Sequence, residues 1–378
     1  RRDKVFRAKL NLHSTKKAKK SVTSSENLFI GIMSGTSADG VDCCLGDFYH
    51  DRPQKLTGCY VPYDQKVKNK ILSINQDSKF SVDEFAKLEL EITRAYALSV
   101  QTLLKNIDAS SKNIKAIGCH GQTIAHNPEQ RYTRQLVNGS LLAELTDITT
   151  VIDFRGRDVA AGGQGAPLAP LFHNAFFRSE HKHRVILNIG GMANITNLAP
   201  GEPVSGFDIG PGNCLLDRWI RTCKGDAFDK NGDWAKSGQV IDSLLKKLKE
   251  HYFFNLSPPK SCGNEQFNLD WVKELTPENT QSQDLQATLL QLTVDSIFDA
   301  QDKHFSGAKE MYVCGGGARN THLMNKISSS ARSISVDLTD SIGVESEWVE
   351  AFGFAWLAKK TISNESIDAT NITGAKGK

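Results

Sequence analysis

Twice in this chain a run of strand-forming residues ends in a glycine turn and is followed at once by a second run. The first pair is Leu28-Phe-Ile-Gly-Ile-Met33 and Val41-Asp-Cys-Cys-Leu-Gly-Asp-Phe48, joined by Ser34-Gly-Thr-Ser-Ala-Asp-Gly40. The second is Val185-Ile-Leu-Asn-Ile-Gly-Gly-Met192 and Ala193-Asn-Ile-Thr-Asn-Leu198. Each reads as a hairpin whose backbone N–H groups can face a ligand. The two lie about 155 residues apart, with helical patterns after each, so two similar α/β halves are expected. A third strand end rich in glycine stands in Glu310-Met-Tyr-Val-Cys-Gly-Gly-Gly-Ala-Arg-Asn320.

Around these landmarks the periodicity predicts a strand over Lys55 to Tyr63, a helix over Val82 to Ile107 and a strand over Lys115 to Cys119. A short apolar stretch, Thr149 to Phe154, leads into a polar, Gly-rich segment, Arg155 to Gly165, and Pro167 and Pro170 bracket the start of a helix through Phe177. Val204 to Asn213 reads as a strand running into a turn, then a helix over Cys214 to Thr222; further helices are expected at Asp284 to Phe305 and Glu347 to Ile362. The expected division is a basic leader, 1–27, an N-terminal lobe, 28–183, and a C-terminal lobe, 184–375, with the helix from about 347 able to pack back onto the first lobe.

Composition excludes several classes. With 378 residues, 39% hydrophobic and 24% charged, the chain has the make-up of a folded globular protein. No apolar run reaches the length of a membrane span, the nearest being Ala351 to Ala358, and no secretory signal is visible. The net charge of +3 conceals a leader with nine Lys/Arg against Asp3 and Glu26. That leader lacks interleaved aromatics beyond Phe6, so neither nucleic acid nor membrane is an expected partner. Eight scattered cysteines without a C-x-x-C pair point to free thiols in a reducing, cytoplasmic setting rather than to zinc or disulfides.

Several segments have the inventory of a reaction site. In the first turn, Gly35 and Gly40 allow close backbone approach, Ser34, Thr36 and Ser37 offer hydroxyls, and Asp39 and Asp42 offer carboxylates. That set suits a phosphate chain with Mg²⁺, though an ordinary hairpin turn uses the same residues. Asp208, just before Gly210-Pro-Gly-Asn213 and a helix, suits a general base beside an anion or a cap on the turn. Gly315 to Gly317 would let a flat nucleoside lie against bare backbone, or simply make a tight connection. Planar donors and carboxylates in Cys119-His-Gly-Gln-Thr123 and Asp153-Phe-Arg-Gly-Arg-Asp158 suit a sugar, with His120 and Arg155 equally able to serve as structural hydrogen-bonding groups. Neither a P-loop nor a G-x-G-x-x-G fingerprint occurs.

Taken together, Gly31 to Asp42, His120 to Thr123, Asp153 to Asp158, Gly162 to Pro167, Leu187 to Gly191, Gly206 to Asn213 and Cys314 to Gly317 closely resemble the anhydro-N-acetylmuramic acid kinases, over about residues 28 to 375. The resemblance implies the two-lobed fold of actin, hexokinase and Hsp70, with duplicated RNase H-like domains. It implies an enzyme that opens the 1,6-anhydro ring of 1,6-anhydro-N-acetylmuramic acid with water while moving the γ-phosphate of ATP to O6, giving N-acetylmuramic acid 6-phosphate in peptidoglycan recycling.

By the same motifs Asp208 would be the base acting on water. Ser34, Gly35, Thr36, Ser37, Ala38, Asp39, Gly40 and Val41 would form one phosphate loop, Gly210, Gly212 and Asn213 a second, and Gly315, Gly316 and Gly317 the adenosine contact. His120, Arg155, Asp158 and Glu350 would bind the sugar, Asp39 and Asp42 would hold Mg²⁺, and a homodimer would be expected. One departure is visible: Val137-Asn-Gly-Ser140 stands where the family usually has Gly-Asn-Pro. A related kinase for levoglucosan and a non-catalytic ATP-dependent sugar sensor are the competing readings; Arg155 and Arg157 suit an acidic sugar better than a neutral one.

Overall fold

The computed structural model describes residues 27–49, 53–74, 80–263 and 265–376; nearly all of the basic leader lies outside them. The first hairpin forms as β1 (Leu28–Ser34) and β2 (Gly40–Asp47), extended by β3 (Gln54–Pro62). All three are antiparallel neighbours, and β4 (Ala116–Asn127) returns parallel to β1 on its other side. Beyond β4 lie β5 (Tyr132–Leu136), antiparallel, and the two-residue β6 (Thr150–Val151), parallel. The strand order is therefore β3-β2-β1-β4-β5, with β6 paired to β4.

The second sheet repeats this plan. β7 (Arg184–Ile189), β8 (Met192–Leu198) and β9 (Ser205–Pro211) make the antiparallel meander. β10 (Glu310–Cys314) returns parallel to β7, and β11 (Ser335–Leu338) lies parallel to β10. Its order, β9-β8-β7-β10-β11, is that of the first sheet, with β6 standing where β11 stands. The expected α/β duplication is thus what the chain forms. A strand buried on both faces reads as continuous apolar sequence, which is why Leu28 to Met33 carries no alternation.

Two expectations need correction. β4 does not stop at Cys119; it runs on to Asn127, so His120 and Gln122 sit on a strand, because the residues from Gln122 find a partner in β5. The segment Arg155 to Gly165, read only as polar and Gly-rich with no helix in it, begins inside a helix, Phe154–Ala160, its first turn started by Asp153 in the left-handed region.

The helix Val82–Ile107 covers β2 and β3, opened by a capping box between Ser81 and Glu84. The helix Val349–Ile362 crosses the back of β1, β2 and β4. It sits so close that a Cβ on Gly31 would lie 1.7 Å from the Ala351 carbonyl oxygen, and one on Gly118 2.0 Å from that of Phe354. The aromatic layer beneath it, Phe48, Phe172, Phe176, Phe352 and Phe354, joins β1 to Ile186 and Leu198 of the second sheet in one core. A separate core fills the far side of the second sheet, around Leu187, Ile195, Phe207 and Leu289. No helix among the described residues is long and apolar enough to cross a membrane, and all eight cysteines are free thiols.

Candidate active site

The first glycine turn is held from within its own lobe. The Ser34 hydroxyl lies 3.0 Å from the Gly40 carbonyl and 2.6 Å from Gln122 Oε1, and it accepts from Tyr63 OH at 2.9 Å; Gln122 Nε2 donates to the Gly35 carbonyl at 3.1 Å. Ala38, buried and at φ +52°, turns the loop back, with its N–H on the Gly35 carbonyl. The Ser34 hydroxyl is therefore engaged inside the lobe rather than turned to a ligand. Replacing Ser34 by Ala is expected to lower the thermal midpoint, at a cost of about 1–3 kcal/mol, with the KM for nucleotide little changed. A large rise in that KM at unchanged stability would contradict this.

The second glycine turn also differs from expectation. The N–H groups of Gly212 and Asn213 are spent on the Gly191 and Gly190 carbonyls, at 2.9 Å each, and a Cβ on Gly212 would meet the Gly190 oxygen at 2.4 Å. The segment from Gly210 to Asn213 thus backs the Gly190–Gly191 turn. That turn reaches the other lobe, since a Cβ on Gly191 would come within 2.9 Å of Thr36 Oγ1. Gly315, at φ +85°, packs where a side chain would strike Asn188 Oδ1, while Gly316 faces open space up to Asn213 Nδ2, 3.9 Å from its would-be Cβ.

Asp208 stands on β9, 6% exposed. Its Oδ2 accepts from the Cys262 N–H at 3.0 Å and its own N–H donates to the Lys260 carbonyl; its Oδ1 accepts no hydrogen bond among the described residues. Burial pushes its carboxyl up to about 7, against the pull of the Cys262 N–H, Arg155 and Lys260. Arg155 donates from Nε to His120 Nε2 at 2.7 Å and from a terminal nitrogen to the Gly165 carbonyl at 2.8 Å. With His120 Nδ1 at 2.7 Å from the Gly121 carbonyl, the ring is neutral and protonated on Nδ1, and burial followed by the Arg155 charge holds it so. His120 thus orients Arg155, whose charge reaches Glu350 and Asp208. Glu350, in the first turn of the helix on the first sheet, accepts from Asn188 of the second at 3.2 Å. Burial raises its carboxyl despite Arg155.

Asp158 is brought to this neighbourhood but is occupied: Oδ2 accepts the Gly165 N–H at 2.7 Å and Oδ1 the Thr373 hydroxyl at 2.7 Å. It shapes the Gly162–Gly165 loop instead of offering a free carboxylate. The two acids assigned together to a metal are separated in character. Asp39 is ion-paired to Lys68 and bears on Asp217 in the first turn of the helix after Gly212, a carboxyl raised to about 7 first by burial and then by Asp39. Asp42, also raised to about 7 by burial and next by Glu350, belongs with Glu350. No group of three or more His, Cys, Asp or Glu among the described residues encloses a metal. Asp39 and Asp217, near enough for the one charge to act on the other, have the donor chemistry Mg²⁺ takes, which keeps several waters and needs one or two carboxylates beside phosphate. In the altered turn at Val137, Asn138 caps the helix Gly139–Thr146, accepting from the Leu141 N–H at 2.9 Å.

Gln122, Asn188, Asn194 and the Lys260–Cys262 segment are site residues to which the sequence reading gave no role, although Pro258 to Ser261 also resembles the family. Gln122 lay inside a motif already noticed. Asn188 also lay inside a motif already noticed, Asn194 belongs to a strand without alternation, and the contact of Lys260 with Asp208 comes only through tertiary folding.

Two lobes of one topology, facing each other through glycine turns with a buried carboxylate and a buried arginine between them, define a two-lobed phosphotransferase. The family model described as anhydro-N-acetylmuramic acid kinase matches residues 27–378. Curated relatives of that name include one from Nitrosomonas europaea, 46% identical over 92% of this chain and 97% of that protein, and one from Pseudomonas savastanoi pv. phaseolicola, 44% identical over 93% and 96%. The chain belongs to the anhydro-N-acetylmuramic acid kinase family. Among solved structures, (R)-2-hydroxyglutaryl-CoA dehydratase component A from Acidaminococcus fermentans is similar at TM-score 0.48 and 13% identity, over 89% of this chain and 100% of that one. A ROK family glucokinase from Streptomyces griseus, in complex with glucose and AMPPNP, is similar at TM-score 0.42 and 13% identity, over 88% and 99%. Neither likeness is close enough to bear on function.

Proposed function

We propose that this kinase hydrolyses the 1,6-anhydro bond of 1,6-anhydro-N-acetylmuramic acid and phosphorylates the released O6 with ATP, giving N-acetylmuramic acid 6-phosphate and ADP, in cytoplasmic recycling of peptidoglycan. The observation that carries the reading is Asp208: buried, held by one oxygen and open at the other. In the reaction Asp208 takes a proton from water, the water oxygen bonds to C1, the C1–O6 bond breaks, and O6 takes the γ-phosphoryl group as ADP leaves. A base whose carboxyl sits near 7 is matched to neutral pH. Phosphoryl transfer itself needs chiefly positioning and charge neutralisation.

Arg155 with Glu350 would orient the sugar, the Gly35–Asp39 loop and the Gly190–Gly191 turn would cradle the phosphates, and the Gly315–Gly317 turn would take the adenosine. Asp39 and Asp217 would hold Mg²⁺, which supplies charge neutralisation on the phosphates when bound. Two such protomers would make the working homodimer, which sedimentation would test.

The test is a single incubation with ATP, Mg²⁺ and the anhydro sugar in ¹⁸O-labelled water, reading sugar mass and ADP together. Label at C1 with one phosphate gained is the expected result. Turnover of levoglucosan instead would move the substrate to the neutral sugar, and nucleotide binding without ADP release on either sugar would make the protein a sensor. In the free enzyme, kcat/KM is expected to fall as pH drops below about 7, because Asp208 must be ionised. A flat profile from pH 5 to 8 would remove Asp208 from that role.

A further inference from the structure

Asn188, Asn194 and Asp208 occupy one row of the second sheet, since Asn188 is the register partner of Asn194 and Asn194 that of Asp208. Their sequence neighbours Leu187, Ile195 and Phe207 point into the core of the second lobe. On the face carrying the row, Ile186 and Leu198 pack with Phe29, Phe172 and Phe354, so this face is turned to the first lobe. Glu350 closes the row at Asn188 and Asp208 ends it. Between them stands Asn194, 9% exposed, with Oδ1 buried and without a hydrogen-bond partner among the described residues.

A buried carbonyl oxygen left unpaired costs about 1–3 kcal/mol; unlike the unpaired amide oxygens of Gln135 and Gln286, that of Asn194 belongs to a residue directly opposite Asp208. Directly opposed residues in an antiparallel pair hold their Cβ atoms about 4.5–5.5 Å apart. Two acceptors therefore stand on adjacent strands at opposed positions of one face: Oδ1 of Asn194 and Oδ1 of Asp208, neither with a hydrogen bond among the described residues. A water there has two protons to give and would satisfy both.

We propose that Asn194 seats the attacking water. Water donates one hydrogen to Asp208 and the other to Asn194 Oδ1, which leaves an oxygen lone pair directed away from the strand row toward C1 of the sugar. When the C–O bond forms, Asp208 removes the proton it holds; the second hydrogen stays on the new C1 hydroxyl, still held by Asn194. Asn194 is a positioning residue for the nucleophile, and the inference rests on the assignment of Asp208 as the base.

Three variants test it. Asn194→Ala is expected to lower kcat by about a hundredfold, the size of a misplaced nucleophile, with the KM for the sugar within about threefold and the thermal midpoint unchanged or raised, since an unpaired buried group is removed. Asn194→Asp keeps the shape but sets a second carboxyl against Asp208, so the acid limb of kcat/KM should move up by at least about one pH unit. A purely structural asparagine would shift stability and leave the kcat of Asn194→Ala within about threefold, while the Asn194→Asp limb reports that the two side chains are neighbours. Asn194→Ala with kcat within about threefold of the parent, or Asn194→Asp with an unmoved limb, would overturn the proposal while an inactive Asp208→Asn enzyme kept the base intact. An Asp208→Asn enzyme with near-normal kcat would overturn both.

Discussion

Asp208→Asn is expected to bind ATP and the anhydro sugar normally, to lose turnover by about 10²–10⁴-fold, and to be the more stable protein above neutral pH. The two effects share one cause. Burial raises the Asp208 carboxyl from 3.8 to about 7, so folding favours its neutral form. That contribution is fully present below the unfolded value near 3.8 and is lost as pH rises through about 7. At 1.36 kcal/mol per pH unit, the loss above neutrality is on the order of 4 kcal/mol. Asparagine has the shape of the neutral acid and no charge to bury, so the gap in stability between variant and parent should open between pH 4 and 7 and stay constant above. Thermal midpoints of both proteins at pH 5 and pH 8 would show it. Equal midpoints at pH 8, or a variant that turns over at the parental rate, would contradict the account. An active-site acid that costs stability in the form that works is an instance of a general trade between activity and stability.

The second large effect is expected far from the chemistry. Gly31→Ala should destabilise by roughly 3 kcal/mol or more, because the added methyl would lie 1.7 Å from the Ala351 carbonyl oxygen and 2.7 Å from the Ala355 nitrogen. Both are backbone atoms of a helix, so no rotamer change relieves the clash; the helix Val349–Ile362 must lift from β1. Lifting it would also draw Glu350 away from Asn188, so kcat should fall with stability. Gly35→Ala is the control, since its methyl meets nothing nearer than Ser37 Oγ at 3.8 Å and the thermal midpoint should be preserved. Comparing the two midpoints suffices; a Gly31→Ala protein as stable as the parent would show that the helix is not seated as described.

Much of this architecture is legible in the sequence because glycine turns at strand ends are local signals. The hairpins at Ser34–Gly40 and Gly190–Gly191, the helix Val82–Ile107 with its cap, and the carboxylate at Asp208 could all be found by reading along the chain. What could not be read depends on register. Asn194 lies opposite Asp208 only because the irregularity between Ala193 and Asn194 shifts the pairing by one residue, and strands buried on both faces give no alternation to show which face is which. Likewise, the motif around Gly212 promised free N–H donors, and only the folded turn shows them taken by Gly190 and Gly191. Asp158 looked available until Thr373, more than two hundred positions away, closed on it.

The glycine seat on β1 also sets the order in which the protein can be made. The sheet that begins at Leu28 receives its cover from a helix that starts at Val349. During synthesis at about 5–20 residues per second, the strands of the first lobe leave the ribosome well before the helix that shields them. The far face of the second sheet has no such wait, because the helices packed on it lie between Cys214 and Ser330. The later half of the chain is therefore expected to become protected first, with the earlier half exposing Phe29 and Ala116 to chaperones until the end. Ribosome-bound chains stalled before and after residue 362 would differ in protease resistance of the first lobe if the helix is the closing piece.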